Sequence, residues 1–353
     1  MLAYAGELDP QKQSSEIMEQ ASAAEGVKIE RRLGPKTEHK YEPVVKKKIA
    51  QWLDERLAVG RAEMPRKVRF TTYTLRYPTM KWITLDALER HWERADIEAE
   101  LMADKSVEVT TKNVTAFTLN LPATVSATVD GQGVAFRRTE AMPSMSFKKS
   151  ADGIWGAPFS SADAGMVKRP GVTGPVDDAF VDAFLFVRPT GRPLNAKLGE
   201  WTQSEMERAI TEWRRVLRGE VRVKDDTALT AEDVANANLI LWGDSSSNSA
   251  LGKLLARLPL KWTAQRLTLG ALTVSAADHA PILIYLNPAN PKRYIVLNSG
   301  FTFREGSTTT NSLQTPKLPA WAVIDLRTPA NAKWPGLVVD AGFFDEAWQW
   351  PRK

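Results

Sequence analysis

The apolar positions of the first sixty residues switch between short runs and helical spacing. Residues 2–5 form an apolar run that is typical of a strand entering a loop, and residues 11–25 have the composition of a helix. A second short strand follows at 27–29, and from Val45 apolar residues recur at i, i+4, i+7 and i+8. Residues 1–62 therefore predict the order β-loop-α-β-loop-α, which is two units of a parallel α/β sheet.

From Arg66 the apolar pattern changes to period two. Val68, Phe70 and Thr72 alternate with Arg69 and more polar positions. Similar short runs, separated by turn residues, recur about every ten residues. This pattern predicts a small antiparallel β-sandwich over residues 66–150.

The remaining chain alternates again between apolar runs and helical spacing. Five nearly continuous apolar runs lie at 183–187, 239–243, 282–286, 294–297 and 321–326. Strands covered on both faces have this composition, and we interpret them as buried parallel strands. Residues 172–353 are therefore predicted to form a doubly wound, flavodoxin-like three-layer α/β domain. The predicted fold class is α/β with an all-β middle domain.

Composition restricts the chemistry of the chain. It contains no cysteine, which excludes disulfides, thiolate nucleophiles and cysteine-based zinc sites. The net charge of +5 is small, and the basic residues are mixed with acidic ones, so no nucleic-acid partner is expected. No apolar stretch reaches the ~18 residues that span a bilayer, so no membrane partner is expected. His91 and His279 have no second histidine at ligand spacing; we expect no metal and no cofactor, and we interpret His91 as a surface residue.

Two residues in the first predicted domain suggest acid-base chemistry. Asp9 follows the first predicted strand, and His39 follows the second, thirty residues later. Loops after consecutive parallel strands meet at one edge of a sheet, so these two side chains are expected to be neighbours. An aspartate that accepts the Nδ1 proton of a histidine forms the acid-histidine half of a hydrolase triad. The chain order, acid before histidine, is that of α/β-hydrolases. Capping residues at loop ends are the alternative.

The segments GELDPQKQ and GPKTEHKY, followed by KVRFTTYTLRYPTMKWITLDALERHWERADIEAEL and TTKNVTAFTL, resemble the end of the catalytic domain of large bacterial prolyl-oligopeptidase-family hydrolases and the β-domain after it. The stretches GPVDDAFVDAFLFVRPTG, LILWGDSSSN and RYIVLNSGFTF resemble the extra C-terminal region of such proteins. The resemblance implies that Asp9 is the triad acid and His39 the general base. It also implies an ester or peptide substrate and an exported bacterial protein, although the residues themselves do not fix the compartment.

The chain departs from that family at the nucleophile. No G-x-S-x-G elbow occurs anywhere in the sequence, and neither Ser245–Ser247 nor Ser299 lies in the hydrolase-like part. We therefore expect a hydrolase fragment with a triad acid and histidine, whose nucleophile is either absent or supplied from outside this chain, for example by an N-terminal hydrolase partner chain. Exposed edges of an incomplete sheet would also favour self-association.

Three alternatives remain open on sequence grounds. The chain could be a non-catalytic binding or accessory module. It could be a carboxylate-dependent glycoside hydrolase acting on a glycan, with Asp178 or Asp226 and Glu346 as the two acids. The loop 243–249 lies between a strand and a predicted helix, where N–H groups attract phosphate or sugar ligands, although serine and asparagine are also common N-caps.

Overall fold

The computed structural model of the chain describes residues 1–121, 126–134, 144–156, 166–305, 310 and 312–351. It is a mixed α/β protein with many strands in several sheets and fewer helices. The chain divides into two compact units: unit 1 is Met1–Pro65 and unit 2 is Arg66–Lys353.

Unit 1 has the element order predicted from its sequence. Its elements are β1 (Leu2–Gly6), α1 (Gln13–Ala24), β2 (Glu30–Gly34) and α2 (Pro43–Val59). The two strands pair in parallel, with Leu2 opposite Glu30 and Gly6 opposite Gly34. Helix α2 begins where the Glu42 side chain accepts a hydrogen bond from the Val45 N–H, at 2.7 Å.

The first part of unit 2 contains two five-stranded sheets. Their strands are β3 (Lys67–Thr72), β4 (Thr79–Met80), β5 (Ile83–Leu88), β6 (Ala95–Leu101), β7 (Ser106–Lys112), β8 (Val114–Leu119), β9 (Ser126–Val129), β10 (Gln132–Val134), β11 (Met145–Lys149) and β12 (Trp155–Gly156). The sheet orders are β10-β9-β7-β6-β3 and β12-β11-β8-β5-β4. All described pairs are antiparallel except β7 with β9, which is parallel.

Alternating side chains of both sheets fill one apolar core. Ile83 and Phe117 belong to one sheet, and Ile97 and Val129 belong to the other. Phe117 stacks on Phe147 with 4.9 Å between ring centroids. The period-two pattern of the sequence thus corresponds to strands that have one buried and one solvated face.

The second part of unit 2 is organised around a seven-stranded sheet. Its elements are β13 (Phe184–Arg188), α3 (Ala196–Leu217), β14 (Val223–Asp225), α4 (Ala231–Asn236), β15 (Asn238–Leu241), α5 (Ser249–Leu254), β16 (Leu260–Trp262), β17 (Arg266–Leu269), β18 (Leu272–Ser275), β19 (His279–Asn287), β20 (Asn290–Leu297), β21 (Trp321–Asp325) and β22 (Leu337–Gly342). The strand order is β14-β13-β15-β20-β19-β21-β22, and β16, β17 and β18 form a separate small sheet.

The expectation that all buried strands of this region are parallel was wrong. The strands β14, β13, β15 and β20 run parallel to one another, but β19 is antiparallel to both β20 and β21, and β21 is antiparallel to β22. The physical reason is the connection between β19 and β20. Only Pro288 and Ala289 separate them, so the chain turns back in a hairpin rather than crossing over through a helix. A strand that is buried on both faces has an unbroken apolar run whether it is parallel or antiparallel to its neighbours, so the run does not reveal the direction.

The core of this region is continuous across the sheet. All nine residues of β19 and all five of β21 are buried. Helix α3 packs its Leu198, Met206 and Ala209 into the same cluster, and Trp242 and Trp348 are fully buried in it.

Candidate functional site

Asp9 and His39 come together as the sequence predicted. The parallel pairing of β1 and β2 brings the loops that follow both strands to one edge. The Nδ1 atom of His39 lies 2.8 Å from Oδ2 of Asp9. The second carboxylate oxygen, Oδ1, accepts a hydrogen bond from the Gln11 N–H at 2.8 Å.

The two members of this Asp9–His39 pair differ sharply in exposure. The Asp9 side chain is 9% exposed, whereas the His39 side chain is 77% exposed. The Gln11 N–H, followed by the hydrogen bond and charge of His39, outweighs burial and lowers the pKa of Asp9 below its ordinary value. An ionised carboxylate can only accept, so Nδ1 of His39 carries the proton and Nε2 is the nitrogen left for other chemistry.

The loop that carries His39 lies directly against the end of β1. A Cβ atom at Gly6 would come 2.1 Å from the Glu38 carbonyl oxygen, so only glycine permits this approach. The loop is fastened by the Leu8 N–H, which donates to the Thr37 carbonyl at 2.9 Å. On the other side, the Tyr4 hydroxyl donates to the Lys40 carbonyl at 2.9 Å.

A nucleophile for this pair is not found among its neighbours. Among the described residues, no hydrogen bond reaches Nε2 of His39. Ser14 and Ser15 donate instead to the carbonyls of Gln11 and Lys12 at the start of α1. In the described part of the chain, the pair is thus an acid and a histidine in contact, with no hydroxyl group bound to Nε2.

The acids considered for a glycosidase site bind different partners. Asp178 accepts the Tyr294 hydroxyl at 2.6 Å and is buried, which raises its pKa. Asp226 accepts hydrogen bonds from the Thr190 hydroxyl at 2.7 Å and the Ser249 N–H at 2.6 Å. The sequence pattern does not reveal these partners, because each is distant along the chain.

The third acid, Glu346, holds His91. Its Oε2 lies 2.5 Å from Nδ1 of His91, and its Oε1 accepts the His91 N–H at 2.8 Å. The His91 side chain is fully buried, so the interpretation of His91 as a surface residue was wrong. The misinterpretation arose because the partner that satisfies the imidazole is 255 positions away in the sequence.

Six of the seven backbone N–H groups of the loop 243–249 are already bound within the chain. Asp244 accepts hydrogen bonds from the N–H groups of Ser246 and Ser247, at 2.8 and 2.9 Å. The Ser249 N–H is bound by Asp226, and Asn248 caps α5 by accepting the Leu251 N–H at 3.1 Å. The carboxylates of Asp226 and Asp244 thus bind N–H groups that had been considered for a phosphate. Asn248 is the N-cap of α5, which confirms the capping interpretation.

Sequence reasoning missed a cleft at the carboxyl edge of the seven-stranded sheet. It lies between α3 and the loops that follow β13 and β15, and its volume is about 520 Å³. Gly191 and Gly243, one after each strand, line it together with Thr202, Met206 and Glu207. The signal in the sequence was a glycine soon after each of two buried strands, but the adjacency of those strands becomes visible only in the sheet order.

Other classes of site and partner were sought in the described part of the chain. No group of three or more histidine or acidic side chains there is arranged to hold a metal ion. None of the helices described is long and apolar enough to cross a bilayer. No family model matches the chain, and no curated protein or solved structure matches it either.

Proposed function

We propose that unit 1 carries the acid and the general base of a serine-hydrolase-type site, with Asp9 and His39 in those roles. The observation that carries the proposal is the 2.8 Å contact between Asp9 and Nδ1 of His39, with Nε2 unoccupied on a highly exposed ring. The nucleophile is supplied by a separate hydrolase segment. The resemblance of the segments around both residues to the prolyl-oligopeptidase family agrees with this assignment and suggests an ester or peptide substrate.

The small number of buried side chains in unit 1 supports a partner segment that would cover its exposed apolar residues. Across residues 1–65, Ala5 and Ile29 are the apolar side chains that become buried, and no residue of α2 is buried. Val44 and Leu57 of α2 are 60% and 76% exposed. Parallel sheets are normally covered on both faces, so a two-stranded parallel sheet requires further strands and helices to be stable.

The chemical roles follow from the two nitrogens of His39. Nε2 takes the hydroxyl proton of the incoming serine as its oxygen attacks the substrate carbonyl, and then gives that proton to the leaving group. Asp9 holds the ring by Nδ1 and stabilises the imidazolium formed between these steps. A water molecule, deprotonated by Nε2, hydrolyses the acyl-serine. Backbone N–H groups of the nucleophile-bearing segment would stabilise the oxyanion.

We also propose a finer domain assignment for the chain. Unit 1 is a partial α/β-hydrolase sheet, and the two five-stranded sheets that share one core are a β-sandwich. The region from residue 172 is flavodoxin-like in its parallel half. The four parallel strands lie in the order β14, β13, β15 and β20, which is 2-1-3-4 when only these four are numbered along the chain.

Fluorophosphonate labelling tests the proposed mechanism. The chain is mixed with the polypeptide encoded immediately upstream, and serine labelling and p-nitrophenyl acetate turnover are measured. We expect His39→Ala and Asp9→Asn to reduce turnover by roughly 10³- to 10⁴-fold, because the base or its orientation is lost. Glu38→Gln, an exposed neighbour of His39, is the matched control and should retain full turnover. Absence of labelling in the mixture, or turnover that survives His39→Ala, would overturn the proposal.

Hydrogen exchange tests whether the upstream polypeptide binds to unit 1, independently of any catalytic activity. Without the upstream polypeptide, amides of β1 and α2 should exchange much faster than those of β19, because unit 1 lacks a core of its own. Addition of the upstream polypeptide should protect β1 and α2 and leave β19 unchanged. Unchanged exchange in unit 1 would show that this polypeptide does not complete the sheet.

A further inference from the structure

The cleft at the carboxyl edge of the seven-stranded sheet lies at a reversal of strand order. The chain passes from β13 through α3 to β14 on one side of β13, and then through α4 to β15 on the other side. Open α/β sheets bind ligands in the crevice that such a reversal leaves beyond the carboxyl ends of the strands. The cleft is in unit 2 and is independent of the Asp9–His39 pair.

The size and walls of the cleft fit a small organic molecule. Its volume of about 520 Å³ lies within the range of pockets that hold such ligands. Met206, Ile210 and Val223 supply apolar surface on one side. On the other side the loops approach closely, because a Cβ atom at Gly191 would lie 2.7 Å from the Ser246 carbonyl oxygen.

The charges of the cleft favour a cationic ligand over an anionic one. The lining cation, Arg188, is already held by Asp225, with Nη2 to Oδ1 at 2.6 Å. Asp244 is a buried negative charge whose oxygens are occupied by backbone N–H groups, including that of Leu194 at 2.9 Å. Glu207 is the exposed carboxylate of the wall, and its side chain accepts one hydrogen bond from Gln203 at 2.9 Å.

A buried hydroxyl without a partner among the described residues lies on helix α3 beside the cleft. Thr202 is 2% exposed, and its Oγ1 has no hydrogen-bond partner among the described residues. A buried hydroxyl without a partner destabilises a protein, and because the Oγ1 atom is almost fully buried it is not open to a ligand in the cleft. Thr202 lies one helical turn before Met206 on α3, in the wall of the cleft.

We propose that this cleft is a binding site for a small organic amine with a short apolar body. The ammonium group pairs with Glu207 in the field of Asp244. The apolar body packs along Met206, Ile210 and Val223.

Methionine-methyl NMR tests the site with three probes of equal chain length: n-hexylamine, n-hexanol and hexanoate. The Met206 methyl, 8% exposed, is the reporter inside the cleft. We expect n-hexylamine to shift this resonance and to bind at least about tenfold more tightly than hexanoate, because the Glu207 carboxylate has no ion-pair partner among the described residues. No shift of Met206 with any probe, or tighter binding of hexanoate, would overturn the proposal.

Two variants and a matched control separate the ligand contacts from general effects. Glu207→Gln should weaken n-hexylamine binding about five- to tenfold, whereas Glu200→Gln, an exposed acid on the same helix outside the cleft, should not. Thr202→Val should leave n-hexylamine binding unchanged and raise the Tm by ~2 °C, since it removes a buried hydroxyl that has no partner among the described residues and is not open to the cleft. Equal effects of Glu207→Gln and Glu200→Gln would exclude a specific site.

The amine site and the hydrolase proposal can fail separately. His39→Ala should leave n-hexylamine binding unchanged, because the residue belongs to the other unit. Conversely, Glu207→Gln should leave fluorophosphonate labelling unchanged.

Discussion

Unit 1 and the seven-stranded sheet of unit 2 both contain parallel strands connected by helices, but they differ in what they bury. Unit 1 buries the apolar side chains of Ala5 and Ile29, whereas every residue of β19 is buried. Helix α2 has the apolar spacing of a packed helix without any buried residue. The comparison shows that apolar periodicity identifies the face of a helix or strand that can be buried. That face becomes buried only when another part of the protein packs against it.

A matched pair of core truncations gives the largest expected contrast. Ile284 in β19 is fully buried, and Ile284→Ala should lower the free energy of unfolding of unit 2 by about 2–5 kcal/mol through lost burial and a cavity. Ile29→Ala in unit 1 should leave that transition unchanged. Guanidinium unfolding followed by tryptophan fluorescence measures it, because Trp52 is the one tryptophan in unit 1 and the others report on unit 2. An equal loss from Ile29→Ala would mean that the two units unfold together.

Histidine modification gives an intermediate contrast between the units. The side chains of His39, His91 and His279 are 77%, 0% and 10% exposed. We expect diethyl pyrocarbonate to modify His39 at least about tenfold faster than the other two, because buried histidines react only when the surrounding structure opens. Peptide mass spectrometry after brief treatment measures this, and His39→Gln should remove the early adduct. An early adduct at His91 would contradict its buried contact with Glu346.

Acid titration gives the smallest expected effect. In unit 2, Arg327 lowers the pKa of Asp325 to about 2 through a side-chain hydrogen bond at the end of β21. Because the folded pKa is depressed, this stabilisation is fully present above the unfolded value of about 3.9 and is lost as the pH falls towards 2. Urea midpoints of unit 2 between pH 5 and 2 should fall less steeply for Asp325→Asn than for the unchanged chain.

The Asp9 carboxyl provides the control in unit 1. Its pKa is also lowered, chiefly by the Gln11 N–H, but it belongs to the other unit. Asp9→Asn should therefore leave the pH dependence of the unit 2 midpoint as it was. A flatter dependence in this variant would indicate that unit 1 contributes to the stability of unit 2.

The sequence alone predicted several local features correctly. The order of strands and helices in unit 1 follows from apolar spacing, which depends on neighbouring residues. The juxtaposition of Asp9 and His39 was also predictable, because a strand-helix-strand unit returns the chain to the same edge of the sheet. Its role in hydrolysis remains a proposal.

The tertiary structure decided what depends on distant partners. The hairpin of β19 and β20 reverses a predicted parallel direction, since burial carries no information on direction. The contact of His91 with Glu346 and the hydrogen bond from the Ser249 N–H to Asp226 connect residues that no local pattern links. The cleft likewise exists because β13 and β15 are adjacent. Local spacing thus determined the elements and the Asp9–His39 pair, whereas strand order and long-range hydrogen bonds determined which other groups stay free for a ligand.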